Sequence, residues 1–212
     1  MSINRQLPFF HEPEHQLITL QDGLLHYYPS FFPPQEADNW MQQLLNEVSW
    51  QQEHIIIYGK QVPFPRLMAW YGDAGSNYAF SGNTYSPKPW IPVLSTIQSR
   101  IEAVSHTTFN SVLLNYYRNG QDSMGWHADD EPELGRNPII ASVNLGATRR
   151  FQLRHKQDHQ RTATVDLQHG SLLIMTGPLQ HHWQHQVPKT KRPVPARINL
   201  TFRHIFPPAQ IE

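Results

Sequence analysis

Arg197-Ile198-Asn199-Leu200-Thr201-Phe202-Arg203 alternates polar and apolar side chains without a break. Alternation of period two is what a β-strand with two different faces produces. Ile198, Leu200 and Phe202 would then face a packed core, and Arg197, Asn199, Thr201 and Arg203 would share the opposite face. Two arginines and an asparagine on the inward face of a barrel are costly unless something anionic sits there. A dicarboxylate would satisfy both cations, and arginine suits it better than lysine because its planar fork can hold a carboxylate through two parallel bonds.

Working back from this strand, the chain keeps a strand-like period as far as Phe109. Candidate strands are Ser111–Tyr117, Ile139–Leu145, Arg150–Arg154, Ala163–Leu167, Ser171–Met175 and His182–Val187. Turn residues separate them, among them Asn119-Gly120, Gly146, His169-Gly170 and Gly177-Pro178. Before Phe109 the pattern is mixed. Leu17–Leu20 and Leu24–Tyr28 flank Gln21-Asp22-Gly23, a hairpin signal. Pro33-Pro34 opens a helix whose apolar stripe is Ala37, Trp40, Met41, Leu44, Leu45 and Val48, and a second helix runs from about Ile91 to Ser105 with Leu94, Ile97, Ile101 and Val104 on one face. Between the helices, His54–Tyr58 and Arg66–Tyr71 read as strands. Two early helices followed by about seven strands predict an α+β fold, a β-sandwich or barrel with helices packed on one outer face. No repeat or low-complexity linker interrupts the 212 residues, so a single domain over 1–212 is expected. Its parts would be an N-terminal and helical region to about residue 110 and a β-core over about 111–205.

The composition is ordinary for a globular chain, with 39% hydrophobic residues and a mean hydropathy of −0.55. No run approaches the roughly 18 apolar residues of a membrane span, and the N-terminus lacks the basic-then-apolar pattern of a secretory signal. The expectation is an intracellular protein (cytoplasmic in a bacterium, nuclear in a eukaryote), acting as a monomer away from membranes. There are no cysteines, which excludes disulfides and thiolate metal sites, while 13 histidines make imidazole ligation possible. Net charge is zero but polarised: residues 1–110 carry 5 Lys+Arg against 9 Asp+Glu (−4), and residues 111–212 carry 12 against 8 (+4). The basic excess includes Arg149, Arg150, Arg154, Lys156 and Arg161, and the cluster Lys189, Lys191 and Arg192, surfaces that could meet phosphates.

In Gly125-Trp126-His127-Ala128-Asp129-Asp130, His127 and Asp129 are two apart, and in an extended segment both would grip one ion from the same side. An imidazole and a carboxylate are two-thirds of the 2-His-1-carboxylate triad that leaves positions open on non-haem Fe(II). The third ligand would come from His181-His182-Trp183-Gln184-His185. Parity keeps His181 and His185 together and leaves both open, and proximity to the arginine strand favours His185. Asn115 and Tyr117 are likewise two apart on a strand.

Taken together, His127-x-Asp129, His185 and the closing Arg197-x-Asn199-x-x-x-Arg203 resemble the AlkB family of Fe(II)- and 2-oxoglutarate-dependent dioxygenases. The similarity runs from about His54 to Arg203, roughly 70% of the chain. It includes Tyr71-Gly72-Asp73-Ala74-Gly75, Ser86-Pro87-Lys88-Pro89-Trp90, Asp129-Asp130-Glu131, Arg154-His155-Lys156 and His169-Gly170-Ser171, and is nearest to the subgroup acting on double-stranded DNA.

The resemblance implies a double-stranded β-helix (jelly-roll) barrel with a nucleotide-recognition lid. It implies that His127, Asp129 and His185 bind Fe(II). Arg197 and Asn199 with Tyr117 would hold the far carboxylate of 2-oxoglutarate, and Arg203 and Asn115 would lie near the carboxylate beside the keto group. With O2, the enzyme would oxidise an N-methyl group of a base such as N1-methyladenine or N3-methylcytosine, releasing formaldehyde, succinate and CO2. The substrate would be DNA, double-stranded and single-stranded, with an RNA demethylase or a protein hydroxylase on the same scaffold as the alternative. The damaged base would be flipped out of the duplex. Tyr78, Phe80 and Ser81 match the segment lining the lesion pocket, with the His127 ring as its other wall. Tyr58 stands where duplex-acting members carry an intercalating Phe, a departure from the family pattern. Asp130 and Glu131 would order the site or touch the exocyclic group of the base, and Arg154, His155 and Lys156 would contact phosphates.

Overall fold

The computed structural model describes residues 14–80 and 83–206. The chain opens with the expected hairpin, β1 (Gln16–Leu20) and β2 (Gly23–Tyr28), in which Leu20 pairs with Gly23. Asp22 sits in its turn at φ +58, a conformation that short polar side chains tolerate. Helix α1 (Pro34–Glu47) starts on a proline at its first position, where no intrahelical N–H is needed, and buries Ala37, Trp40 and Leu44. Two short hairpins and a long strand follow: β3 (His54–Ile57) with β4 (Lys60–Pro63), then β5 (Leu67–Gly72), then β6 (Tyr78–Phe80) with β7 (Asn83–Tyr85). Helix α2 (Pro92–Ser105) buries Val93, Leu94, Ile97 and Ile101, and ends at His106 in the left-handed region, φ +52.

The remaining elements are β8 (Ser111–Tyr117), β9 (Met124–His127), β10 (Ile140–Gly146), β11 (Arg149–His155), β12 (Thr162–Leu167), β13 (Ser171–Thr176), the one-turn helix α3 (Leu179–His182), β14 (Trp183–Val187) and β15 (Arg197–Arg203). They assemble antiparallel into a seven-stranded sheet, β1-β2-β13-β10-β15-β8-β5, and a four-stranded sheet, β12-β11-β14-β9. This is the jelly-roll arrangement of two facing sheets. The candidate strand His182–Val187 begins one residue later, at Trp183, because α3 takes up His181 and His182.

Two apolar layers explain the sandwich. The helix side gathers Trp40, Leu44, Leu94, Ile97 and Ile101 with Ile198, Leu200 and Phe202 of β15. Between the sheets, Tyr117, Met124, Phe151, Leu153, Leu173, Met175, Trp183 and Val187 form a second cluster. Burying a side chain of this size contributes roughly 1.5–3 kcal/mol. Strand β15 therefore has its apolar face under the helices and its polar face, Arg197, Asn199, Thr201 and Arg203, in the interior between the sheets. It pairs with β10 on one side (Asn199 with Asn144) and β8 on the other (Asn199 with Asn115), so polar residues from three strands converge.

Candidate metal and co-substrate centre

His127 closes β9, and Asp129 lies two residues on, just beyond the strand. His185 sits in β14 directly opposite His127. The three ligand atoms lie within 4.8 Å of one another. His127 Nε2 is 4.0 Å from Asp129 Oδ1, and His185 Nε2 is 4.0 Å from Asp129 Oδ2. His127 Nδ1 donates to the Gly125 carbonyl at 2.8 Å, which fixes the tautomer and leaves the Nε2 lone pair facing the carboxylate. Arg203 Nη2 donates to Asp129 Oδ1 at 2.9 Å, while Asp129 Oδ2 is buried without a hydrogen-bond partner among the described residues.

The electrostatics favour a cation. Burial pushes the Asp129 carboxyl up, but Arg203, His185 and His127 together outweigh it and hold it at about 2. Burial, with the charge of His127, pulls His185 down to about 3, and burial also lowers His127. At neutral pH the group is an ionised carboxylate with two neutral imidazoles, the protonation state that metal ligation requires. A buried carboxylate with one orphaned oxygen, facing two imidazole nitrogens, with the three ligand atoms within 4.8 Å of one another, fits a divalent cation.

A second group, Asp22, His155 and His182, is equally close-set. There His155 Nδ1 accepts the backbone N–H groups of Gln157 and Asp158, both at 3.3 Å. The ring proton must then sit on Nε2, which faces Asp22 Oδ2 at 3.8 Å and has no lone pair for a cation. The two clusters look alike by distance and differ by tautomer.

The cavity between the sheets is lined by the first three residues together with Asn115, Tyr117, Arg197, Asn199 and Arg203. Arg197 is 1% exposed, stacks on the Tyr117 ring at 4.9 Å and donates through Nη2 to Asn144 Oδ1, while its Nε and Nη1 are buried without hydrogen-bond partners among the described residues. Burial draws Arg197 down to about 10, against the pull of the Tyr117 hydroxyl, so it stays cationic at neutral pH. A buried guanidinium with two unspent N–H edges fits a carboxylate. Asn199 turns its amide nitrogen toward Ser142 Oγ (2.8 Å), the Val143 carbonyl and Asn144, and accepts from Thr201.

Several positioning residues escaped the sequence reading. Ser142 and Asn144 share a parity on β10 and pair with Thr201 and Asn199, a signal visible once the strands are aligned. Arg66, 2% exposed, holds Asn115 Oδ1 at 2.6 Å and so turns the amide nitrogen away from itself. Arg149 is also buried and lies over the Tyr117 ring, at 5.6 Å. Gln180 accepts the Asp129 N–H at 3.0 Å.

Other expected residues are placed as follows. Arg154 lies over Trp126 at 4.3 Å and donates to Gln184, and Lys156 Nζ bonds Asp130 Oδ2 at 2.7 Å. His155, expected beside them as a phosphate contact, is instead 4% exposed, because strand alternation turns it to the opposite face of β11. His181 leaves the candidate ligand set, since α3 puts it off the strand and its ring accepts from the Asn137 N–H. Glu131 is half-buried behind the exposed Asp130. Tyr58 and Gly59 form a two-residue turn between β3 and β4 with φ of +48 and +75, and Tyr58 is fully exposed at 102%. Tyr78 and Phe80 occupy β6, and Ser81 lies outside the described residues.

A jelly roll that closes a 2-His-1-carboxylate cluster and buried arginines into one cavity defines a class, and residues 24–203 match the 2OG-Fe(II) oxygenase superfamily. The chain is 45% identical to alpha-ketoglutarate-dependent dioxygenase alkB homolog 3 of Mus musculus, over 85% of its own length and 65% of that protein. It is also 45% identical to DNA oxidative demethylase ALKBH2 of Homo sapiens, over 87% of its length and 75% of that protein. The chain thus spans somewhat less than two thirds of the first relative's length. The solved structure "The structure of OsALKBH1" superposes with a TM-score of 0.63 at 20% identity, covering 89% of this chain and all of that one, a likeness of fold. The chain belongs to the AlkB family of 2OG-Fe(II) oxygenases.

Proposed function

We propose that this protein is an Fe(II)- and 2-oxoglutarate-dependent dioxygenase that oxidatively removes methyl groups from damaged bases, of the N1-methyladenine and N3-methylcytosine type, in DNA. The observation that carries the reading is the division of Asp129: Oδ1 is held by Arg203, Oδ2 has no hydrogen bond among the described residues, and the two oxygens face the His127 and His185 imidazoles respectively, in a cavity that also holds the half-satisfied Arg197. The relatives named as a DNA oxidative demethylase and as alkB homologues supply the substrate class.

His127, Asp129 and His185 would hold the iron on one face and leave its other positions open. Arg197 and Tyr117, with Asn199 braced against β10, would take the far carboxylate of 2-oxoglutarate. Asn115 and Arg203 would lie beside the near one. When bound, iron, 2-oxoglutarate and O2 supply the oxidation of an N-methyl C–H bond to N–CH2–OH. The chain's own residues add position and dryness: sheet walls exclude water, and the ligands need shed no proton at neutral pH. The hydroxymethyl base then breaks its N–C bond and releases formaldehyde, so no protein nucleophile is required.

A base stacked in a duplex cannot reach this cavity and must be flipped. Tyr78, Phe80 and Ser81 would clamp it against the His127 ring, Tyr58 would fill the gap, Asp130 and Glu131 would meet its exocyclic edge, and Arg154 and Lys156 would meet phosphate. The test is mass spectrometry of methylated oligonucleotides, DNA and RNA, single- and double-stranded, after incubation with Fe(II), ascorbate and 2-oxoglutarate. Demethylated DNA with equimolar formaldehyde is expected, and His127→Ala should abolish both. Turnover retained by that variant would remove the metal assignment, and turnover on RNA alone would replace the substrate.

A further inference from the structure

We infer that Gln180 is a positioning residue that sets the aim of the Asp129 carboxylate and thereby the metal affinity of the centre. The inference rests on the reading of His127, Asp129 and His185 as metal ligands. The ladder between β9 and β14 ends where His127 meets His185, so Asp129, two residues further on, lies beyond its hydrogen bonds. Its backbone N–H is buried and finds Gln180 Oε1 at 3.0 Å. A side chain thus does what a neighbouring strand would have done.

Gln180 is itself held rigidly. It is 1% exposed, on the one-turn helix α3 whose Leu179 is packed in the core between the sheets. An N–H can only donate, so Oε1 must face Asp129. The amide nitrogen then points at Met175 Sδ, 3.4 Å away on β13. The backbone carbonyl of Gln180 accepts from Lys156 Nζ at 2.8 Å, and the same ammonium bonds Asp130 Oδ2 at 2.7 Å. Helix α3 therefore grips two of the three residues that follow the strand, Asp129 directly and Asp130 through Lys156. Without the Gln180 acceptor, the buried Asp129 N–H would be orphaned and the peptide would rotate to find another partner. That rotation would carry the carboxylate away from the two imidazoles.

The experiment is anaerobic titration of the full chain with Mn(II), reading free metal by electron paramagnetic resonance, alongside the melting temperature of the metal-free protein. Gln180→Leu keeps the shape and removes the acceptor, and should weaken Mn(II) binding about tenfold or more, the usual size of an outer-sphere loss. Gln180→Glu keeps an acceptor at the same reach beside the Lys156 ammonium, and should bind Mn(II) at least as well as the unsubstituted protein. A purely structural role would lower the melting temperature and leave Mn(II) affinity unmoved. The inference is overturned if Gln180→Leu binds within about threefold of the unsubstituted protein, or if both substitutions weaken binding alike. Asp129→Ala separates the two levels: unchanged Mn(II) binding there would remove the ligand assignment, whereas lost binding there with Gln180→Leu unaffected would remove only the role of Gln180. Should Gln180→Leu fail to fold, hydrogen exchange on the unsubstituted protein decides. The Asp129 amide should be protected like those of β14, and exchange at the rate of an exposed loop would overturn the inference.

Discussion

Two imidazoles that refuse protons are the residue-level fact with the widest consequence. His185 is held at about 3 and His127 is lowered, both chiefly by burial, against an ordinary value of 6.5. As pH falls below about 6.5, the unfolded chain takes up protons at these positions before the folded chain does, and at His185 the folded chain does so only near 3. The metal-free protein should therefore lose stability between about pH 6.5 and 3. Asp129, depressed to about 2 from 3.8, adds a loss only below about pH 4. Urea unfolding at a series of pH values checks this. His185→Asn, which has no such group, should show a shallower decline than the unsubstituted protein, and an equal slope would show that His185 titrates normally. His155 makes the complementary point. Its neighbours Arg154 and Lys156 are charged and half-buried at the surface, and the period-two rule applied to β11 already turns it inward. The candidate strand in the sequence ends at Arg154, one residue short of β11, and a single basic patch over Arg154-His155-Lys156 leaves that parity out.

At the level of elements, the hairpin β3–β4 separates stability from function. A tyrosine at φ +48 is uncommon, and Tyr58 is fully exposed, so burial does not offset the strain. Ile56 beside it is also 71% exposed, whereas Ile55 and Phe64 anchor the hairpin base on a third apolar cluster. If the tip is a wedge for the gap left by a flipped base, Tyr58→Gly should leave the melting temperature unchanged or slightly raised. It should also reduce demethylation of duplex DNA several-fold more than of single-stranded DNA, since stacking on a base is worth roughly 1–3 kcal/mol. Equal losses on both substrates would remove the wedge. The hairpin's first strand was readable from the β-rich run His54–Tyr58, whereas the return strand β4 was not, because Pro63 and Pro65 interrupt the pattern. Helix α3 was not, because a four-residue helix leaves no periodicity to detect. Gln180 therefore carries no local signal, and strand parity gives His181 and His185 one face that α3 removes.

For the whole molecule, one strand joins the two halves of the design. The apolar face of β15 sits under α1 and α2, where Phe202 stacks near Trp90 and Phe109, and its polar face lines the cavity. The alternation of β15 made that division legible in the sequence, whereas the bracing by β10 and by Arg66 depends on which strands become neighbours, which no local pattern encodes. Substitutions on the two faces should accordingly behave oppositely. Phe202→Ala should cost about 3–5 kcal/mol in the metal-free protein, as truncating a buried aromatic generally does. Arg197→Met removes a buried cation with two unpartnered nitrogens, and Asn144 Oδ1 still receives the Asn199 amide. Replacing such a charge by an apolar side chain of similar length is often neutral or stabilising, so the metal-free protein should melt at the same temperature or higher. The cavity would then have lost the cation proposed for the far carboxylate. The unsubstituted protein with Mn(II) should gain about 2.7 kcal/mol from 2-oxoglutarate at a hundred times its dissociation constant, and Arg197→Met should gain almost nothing at the same concentration. A variant that melts lower without ligand yet keeps the full 2-oxoglutarate shift would mean that Arg197 is a structural residue and that the dicarboxylate binds elsewhere. The opposite pairing, higher stability with no ligand response, would mean that the buried charge is kept at the expense of the fold for the sake of the co-substrate.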